Sequence, residues 1–204
     1  ESQPRLNGKK QVVFFYDTYI NYNNPDLGLK ITNILKKNEF DVILPPQQSS
    51  GLPAIVDGKP KLGLQIAKFN VSNLAPYVNR GIPIVSFSPS ATLCLKLEYL
   101  SVLDTAETRM VSDNTYDLHE FLYDLYEKKS LNLDFSLMEK EVNIHRHCHN
   151  FAVRTDEHVI NLLRLIPGLK LNVIEKGCCG IGGTFGFVKG GYDSSFSIGR
   201  ELFD

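Results

Sequence analysis

Short apolar runs alternate along this chain with longer stretches in which apolar residues recur every three or four positions. The short runs predict buried strands at residues 12–16, 41–45, 82–88, 141–146 and 169–174. The longer stretches predict amphipathic helices at residues 25–37, 61–78, 89–103, 115–129, 155–166 and 192–203. Strands that alternate with helices are typical of α/β proteins, so the fold class is expected to be α/β with mainly parallel sheets.

The order of the elements repeats within the chain. In the first half a strand leads to Thr18, and the triplet SSG at 49–51 begins 31 residues later. In the second half a strand leads to Cys148, and the triplet CCG at 178–180 begins 30 residues later. The matched spacing indicates two copies of one unit, the first carrying hydroxyl side chains where the second carries thiols.

We therefore predict two repeated Rossmann-like units, each with a parallel sheet. Residues 10–127 are expected to form the first unit, residues 128–140 a polar linker, and residues 141–204 the second unit. The second unit is expected to be truncated, because it has no counterpart of the strand and helix at residues 82–103.

Composition and charge exclude several classes of partner. With 43% hydrophobic and 22% charged residues the chain is ordinary for a globular protein. A formal net charge of −1 over 204 residues gives no field that would attract nucleic acid. Four cysteines, at 94, 148, 178 and 179, are too few for a disulfide framework in a chain of this length. They indicate a reducing, cytoplasmic compartment and thiols used for metal or redox chemistry.

Three of the thiols are expected to meet in one crevice. Cys148 follows one predicted strand and the Cys178–Cys179 pair follows the next, and loops at the carboxyl edge of a parallel sheet converge. A nearby helix amino terminus is expected to stabilise the thiolates. Adjacent cysteines chelate one small ion poorly, but they can ligate two irons of one cluster. We therefore predict Cys148, Cys178 and Cys179 as metal ligands.

The glycines that follow the cysteine pair fit the same prediction. Gly180, Gly182 and Gly183 would let the backbone approach bulky inorganic sulfide and donate N–H hydrogen bonds to it, so we predict them as cofactor-binding residues. A dinucleotide loop is a weaker interpretation, because the G-x-G-x-x-G spacing would need glycine where Phe185 stands.

Other interpretations stay open at this point. His145, His147 and His149 flank Cys148, so a zinc site built from cysteines and histidines is an alternative to a cluster. The isolated Cys94 is expected to be a small buried apolar residue. Two more histidines, at 119 and 158, are expected to be surface or helix-capping residues.

The segment HRHCH around Cys148, followed by CCGIGGTFGF, resembles the cysteine-rich CCG domain. That domain occurs in the iron–sulfur subunit of anaerobic glycerol-3-phosphate dehydrogenase, in one of the subunits of heterodisulfide reductase, and in glycolate and lactate oxidase subunits. The resemblance covers nearly the whole chain, and residues 17–28 and 178–203 are most similar to the glycerol-3-phosphate dehydrogenase subunit. In the family each unit runs Cys, then Cys-Cys-Gly, then Cys-x-x-Cys, and these cysteines can hold an iron–sulfur cluster.

The chain departs from the family pattern in both units. In the first, the family cysteines are replaced by Thr18, Ser49, Ser50 and Ala91, so this unit is expected to hold no cluster. In the second, three cysteines match and the Cys-x-x-Cys would fall beyond Asp204. The resemblance therefore implies a 4Fe–4S cluster, of the non-cubane type known in heterodisulfide reductase, if the ligand set is completed beyond Asp204. Zinc is the alternative, and a fragment without a bound cofactor is the third case.

The resemblance implies a subunit of a respiratory oxidoreductase that performs no chemistry on substrate itself. It would relay electrons from a flavoprotein dehydrogenase, similar to glycerol-3-phosphate dehydrogenase, toward quinone. One alternative is a redox-inactive subunit that docks that flavoprotein at the membrane, and another is a heterodisulfide-reductase-like subunit. The expected location is the cytoplasm, including the inner face of the cytoplasmic membrane.

Overall fold

The first half of the chain folds around a mainly parallel sheet in this computed structural model, which describes residues 5–6 and 9–204. The strands in chain order are β1 (Arg5–Leu6), β2 (Lys9–Phe15), β3 (Phe40–Ile43), β4 (Ile84–Ser86) and β5 (Thr115–Asp117). β2 lies between parallel β3 and parallel β4, β5 pairs with β4, and β1 is antiparallel to the start of β2.

The central strand is apolar on both faces because helices cover both sides of the sheet. The α-helices of this half are α1 (Pro25–Lys37), α2 (Leu52–Val56), α3 (Pro60–Val78), α4 (Pro89–Leu93), α5 (Tyr99–Val102), α6 (Ala106–Asp113) and α7 (Leu118–Glu127). Two π-helical segments, Tyr19–Asn23 and Cys94–Glu98, complete its helical structure, and the second joins α4 to α5. Val13 and Phe15 pack with residues of α3 on one face, whereas Val12 and Phe14 pack with α1 and α7 on the other. Successive side chains of a strand point to opposite faces, so one run of four apolar residues supplies both cores.

The second half repeats the parallel pairing on a smaller scale. β6 (Lys140–His145) pairs in parallel with β7 (Leu169–Ile174), as β2 pairs with β3. The accompanying helices are α8 (Cys148–Ala152), α9 (Asp156–Leu163) and α10 (Tyr192–Phe203). The predicted α/β class with parallel sheets is confirmed, and the second sheet has two strands in the part of the chain that the structure describes.

One element boundary and two histidines differ from the sequence-based expectations. The helix predicted from residue 115 begins at Leu118, because residues 115–117 pair with β4 as β5. Asp117 then caps α7 together with Glu120, in a reciprocal capping box. His119 and His158, expected at the surface or as caps, are both half-buried, and the ring of His119 bonds to Asp117.

Residues 128–139 contain no helix or strand, which fits their composition as a linker, although the unit boundaries remain a prediction. Within residues 5–6 and 9–204, no helix combines the length and the apolar content that crossing a bilayer requires.

Candidate metal centre

The loops after β6 and β7 start side by side at the carboxyl edge of the second sheet. The two strands stay paired to their last residues, His145 and Ile174. Cys148 is the first residue of α8, and Cys178 and Cys179 lie in the loop between β7 and α10. All three thiols line one cavity of about 520 Å³, which we call the thiol cavity. The structure therefore brings together the three cysteines that were predicted as ligands.

The loop that carries the cysteine pair has a left-handed backbone at its glycines. Gly180, Gly182 and Gly183 have φ of 81°, 53° and 67°, values that side-chain-bearing residues rarely adopt. Of the three glycines predicted to bind a cofactor, Gly182 and Gly183 line the thiol cavity and Gly180 does not, and their role in binding a cofactor stays a prediction. The backbone N–H of Gly180 donates to Sγ of Cys178 over 3.3 Å, the type of hydrogen bond that tunes a metal-bound sulfur.

The cysteine loop also packs directly on the backbone of α10. A Cβ at Gly180 would overlap the carbonyl oxygen of Ser195, and a Cβ at Gly199 would lie 2.6 Å from the carbonyl oxygen of Cys179. Two glycines thus allow the loop and the helix to touch main chain to main chain. The role of Gly199 was not predicted, because a single glycine inside a helical pattern gives no indication of what lies against it.

The three histidines line the thiol cavity, but each has a ring nitrogen engaged by the protein. Nε2 of His145 lies 2.8 Å from the carbonyl oxygen of Gly177, and Nδ1 of His147 accepts from the backbone N–H of His149 over 3.1 Å. Nδ1 of His149 lies 3.0 Å from Oγ of Ser90. These contacts fix the backbone around Cys148 and Cys178 and leave one nitrogen of each ring for other partners.

The three thiols line one cavity without converging on a single point. Among the residues that the structure describes, no three His, Cys, Asp or Glu side chains stand close enough to hold one metal ion. A tetrahedral zinc site needs its ligands gathered within about 2.3 Å of one point. Thiols are the ligands of iron–sulfur clusters, so three of them around a 520 Å³ cavity, one accepting an N–H bond, are compatible with part of a cluster's ligand set, and the nature of the metal stays a prediction.

The electrostatics of Cys148 differ from the expectation of a stabilised thiolate. Partial burial raises the pKa of Cys148, and the nearby Cys178 and Cys179 thiols raise it further. Backbone N–H groups at the start of α8 act in the opposite direction but do not outweigh these causes. Without a cation in the cavity the thiol form of Cys148 is favoured, because burial and the neighbouring sulfurs both disfavour a negative charge there.

The first unit supplies anchors for the helix that carries Cys148. Nδ2 of Asn150 lies 3.3 Å from Oδ2 of Asp117 and 2.8 Å from Oγ1 of Thr155, and all three residues are buried. Ser90, near the start of α4, also lines the thiol cavity beside His149. The site is therefore built by both units. Neither anchor was predicted, because nothing in the local sequence indicates a partner more than 30 residues away.

The matching strand ends of the first half carry a hydrogen-bond network, next to a cavity of about 470 Å³ that Thr18 and Ser49 help to line. The Asp17 carboxylate accepts from the backbone N–H groups of Thr18 and Ser50, at 2.7 and 3.1 Å, and from the Ser50 hydroxyl at 2.7 Å. The carbonyl oxygen of Ser50 accepts from Cys94 Sγ at 3.2 Å and from the Tyr99 hydroxyl at 2.9 Å. Among the residues that stand where the family has cysteines, Ser50 is thus part of a buried polar network, whereas Thr18 and Ser49 are exposed and Ala91 packs in the apolar core.

Cys94 is fully buried, as predicted for a small apolar residue. Burial raises the pKa of its thiol far above the ordinary value, and the negative charge of Asp17 raises it further. The thiol of Cys94 therefore stays protonated over the ordinary pH range.

Comparison with known proteins supports the resemblance. No protein-family model matches the chain. It is 34% identical to a subunit of anaerobic glycerol-3-phosphate dehydrogenase of Escherichia coli over 198 residues, which cover 96% of this chain and 49% of the relative. It is 26% identical to a subunit of fumarate reductase (CoM/CoB) of Methanothermobacter marburgensis, covering 96% of this chain and 37% of that protein.

The predicted resemblance is confirmed. The chain spans about half the length of the Escherichia coli relative. D-2-hydroxyglutarate dehydrogenase of Pantoea ananatis is a more distant match, 23% identical over 93% of this chain and 18% of its own length. The names of all three relatives are those of oxidoreductases or their subunits.

Thiol labelling tests the difference between Cys94 and the cysteines of the cavity. In the folded, metal-free protein at pH 8, iodoacetamide should modify Cys148 and Cys178, while Cys94 reacts on the order of a hundredfold more slowly. Mass spectrometry of the peptides measures the rates, and the same reaction in guanidinium chloride, where all four cysteines should react, is the control. Native labelling of Cys94 at the rate of Cys178 would contradict the described burial.

Two alanine substitutions separate close packing from backbone strain. Gly180→Ala should lower the free energy of unfolding by about 2–5 kcal/mol, because strain at positive φ adds to an overlap with α10. Gly183→Ala, also at positive φ but with open space around it, should cost about 1–2 kcal/mol. Urea unfolding measures both values. Equal effects of the two substitutions would argue against the main-chain contact between the loop and α10.

Proposed function

We propose that the chain is an electron-transfer subunit of a respiratory oxidoreductase. In this role Cys148, Cys178 and Cys179 ligate an iron–sulfur cluster that carries electrons from a flavoprotein dehydrogenase toward quinone. The observation that carries the proposal is the single cavity lined by these three thiols at the ends of adjacent parallel strands. The similarity to a subunit of anaerobic glycerol-3-phosphate dehydrogenase favours glycerol 3-phosphate as the substrate of the partner subunit.

The chain's own residues have defined tasks in this proposal. The glycine loop lets main chain approach the thiol cavity, and the N–H of Gly180 stabilises negative charge on Cys178 Sγ. A bound cluster supplies a site that accepts and releases one electron at a time. The carbonyl of Gly177, held by His145, fixes the loop that bears the cysteine pair. A fourth ligand to the cluster would come from a residue other than these three cysteines.

Iron and sulfide analysis tests this proposal. Full-length protein prepared without oxygen should contain several iron and sulfide ions per chain and give the electron paramagnetic resonance signal of a reduced or oxidised cluster. Cys148→Ser and Cys178→Ser should lower the iron content several-fold, because hydroxyls are poor ligands for the cluster. Cys94→Ala is the matched control and should leave the iron content unchanged. Absence of iron from wild-type protein prepared in this way would contradict the electron-carrier role.

A second candidate function is docking of the dehydrogenase without a redox centre. It is favoured by exposed apolar side chains on and before α10, with exposed fractions of 79% for Phe187, 67% for Tyr192 and 57% for Phe203. Aromatic side chains exposed together are typical of surfaces that bind another protein or a membrane.

Co-purification distinguishes the two functions. If docking is the function, Cys178→Ser should retain the dehydrogenase partner in full, and Phe187→Ser with Tyr192→Ser should release most of it. Iron content measured on the same samples shows whether a cluster is present. Loss of the partner from Cys178→Ser, with retention by the double variant, would contradict docking through this surface.

A further inference from the structure

A second cavity, of about 200 Å³, lies next to the thiol cavity. It shares residues 145–147 with the thiol cavity, so one layer of side chains separates the two. Its other walls include Phe87, just past the end of β4, together with His119 of α7 and Val159 of α9. The cavity therefore lies at the carboxyl ends of the strands and between the two units, where α/β proteins commonly bind ligands. We call it the ring cavity.

The size and polarity of the ring cavity limit what it can hold. Its volume is below the roughly 300–1,000 Å³ of sites for drug-sized molecules, so one substituted ring fills it. Phe87, Ile144, Val159 and Ile160 give it mostly apolar walls. The charge of Arg146 in its wall is compensated by the carboxylates of α9 and of the loop after β7 that contact it. An uncharged, planar ring fits these walls better than a charged ligand does.

One polar group in the ring cavity is held in a fixed orientation. Nδ1 of His119 lies 2.9 Å from Oδ1 of Asp117, a carboxylate with no exposure to solvent. The backbone N–H of His119 donates to the same oxygen over 2.8 Å. With Nδ1 engaged, Nε2 is the ring nitrogen left for a ligand. It donates to a carbonyl oxygen when the imidazole is protonated and accepts from a hydroxyl when it is neutral.

We propose that the ring cavity binds the ring of an uncharged cyclic compound that bears carbonyl or hydroxyl groups, with Nε2 of His119 on one of its oxygens. The ring of Phe87, 5.6 Å from the His119 ring, forms an adjoining apolar wall. The identity of the compound rests on the proposed function: if the chain carries electrons toward quinone, the bound compound is that quinone. A ring held there lies one side-chain layer from the thiol cavity.

Equilibrium dialysis with tetramethyl-1,4-benzoquinone tests the proposal. Every ring carbon of this probe that is not a carbonyl carries a methyl group, so addition of the cysteine thiols is suppressed. Full-length protein should bind one probe molecule per chain saturably. Val159→Phe should weaken binding at least about tenfold, because the larger side chain fills the cavity. Val56→Phe, the same change at a position 66% exposed at the end of α2, is the matched control and should bind as wild type.

A second pair of variants tests the hydrogen bond independently of cavity volume. His119→Phe removes the nitrogen but keeps a ring, and should weaken binding about three- to tenfold, the effect of one lost hydrogen bond. His119→Gln restores a donor and should recover part of the affinity. Thermal unfolding of each variant verifies that it is folded. If Val159→Phe does not fold, the two His119 variants alone test whether the ring cavity binds the probe.

The outcomes separate this inference from the proposed function. If protein that holds no iron binds the probe saturably, the result supports binding in the ring cavity and contradicts the electron-carrier role. If the protein holds iron but does not bind the probe saturably, binding in the ring cavity is overturned and the electron-carrier role is retained. The same conclusion about the cavity follows if Val159→Phe and His119→Phe leave the affinity unchanged.

Discussion

The parallel register between β6 and β7 is the constraint on which the candidate site depends. Six consecutive residue pairs, from Lys140 with Leu169 to His145 with Ile174, fix where both loops begin. A slip of one residue would turn every side chain of a strand to the opposite face. The bond between His145 and the carbonyl of Gly177 continues the connection past the end of the ladder. Cys148 and the cysteine pair share a cavity because of this register.

The two halves of the chain contribute differently to the site. The first has a buried network centred on Asp17 and a cavity lined by Thr18 and Ser49, where the second has a cavity lined by thiols. It also holds the Cys148 helix through the bond from Asn150 to Asp117 and the contact of Ser90 with His149. Removing one partner of such a buried bond costs about 1–3 kcal/mol. The first half contributes no thiol to the cavity but is still a structural part of the site.

The sequence allowed the α/β fold and the convergence of the three thiols to be predicted, because both follow from periodicity and from the geometry of parallel sheets. Features that depend on distant partners were not predictable. Residues 115–117 are a strand only because β4 lies beside them, and Gly199 matters only because Cys179 packs against it. The pKa of Cys148 was expected to fall and is instead raised, because burial and neighbouring thiols outweigh the backbone N–H groups.

Crystallography at the iron absorption edge tests the central claim most directly. Crystals of the full-length protein, grown without oxygen, should give anomalous density in the thiol cavity, bonded to the sulfurs of Cys148, Cys178 and Cys179. Iron density elsewhere, or an ordered thiol cavity without iron in protein that contains iron, would contradict the account.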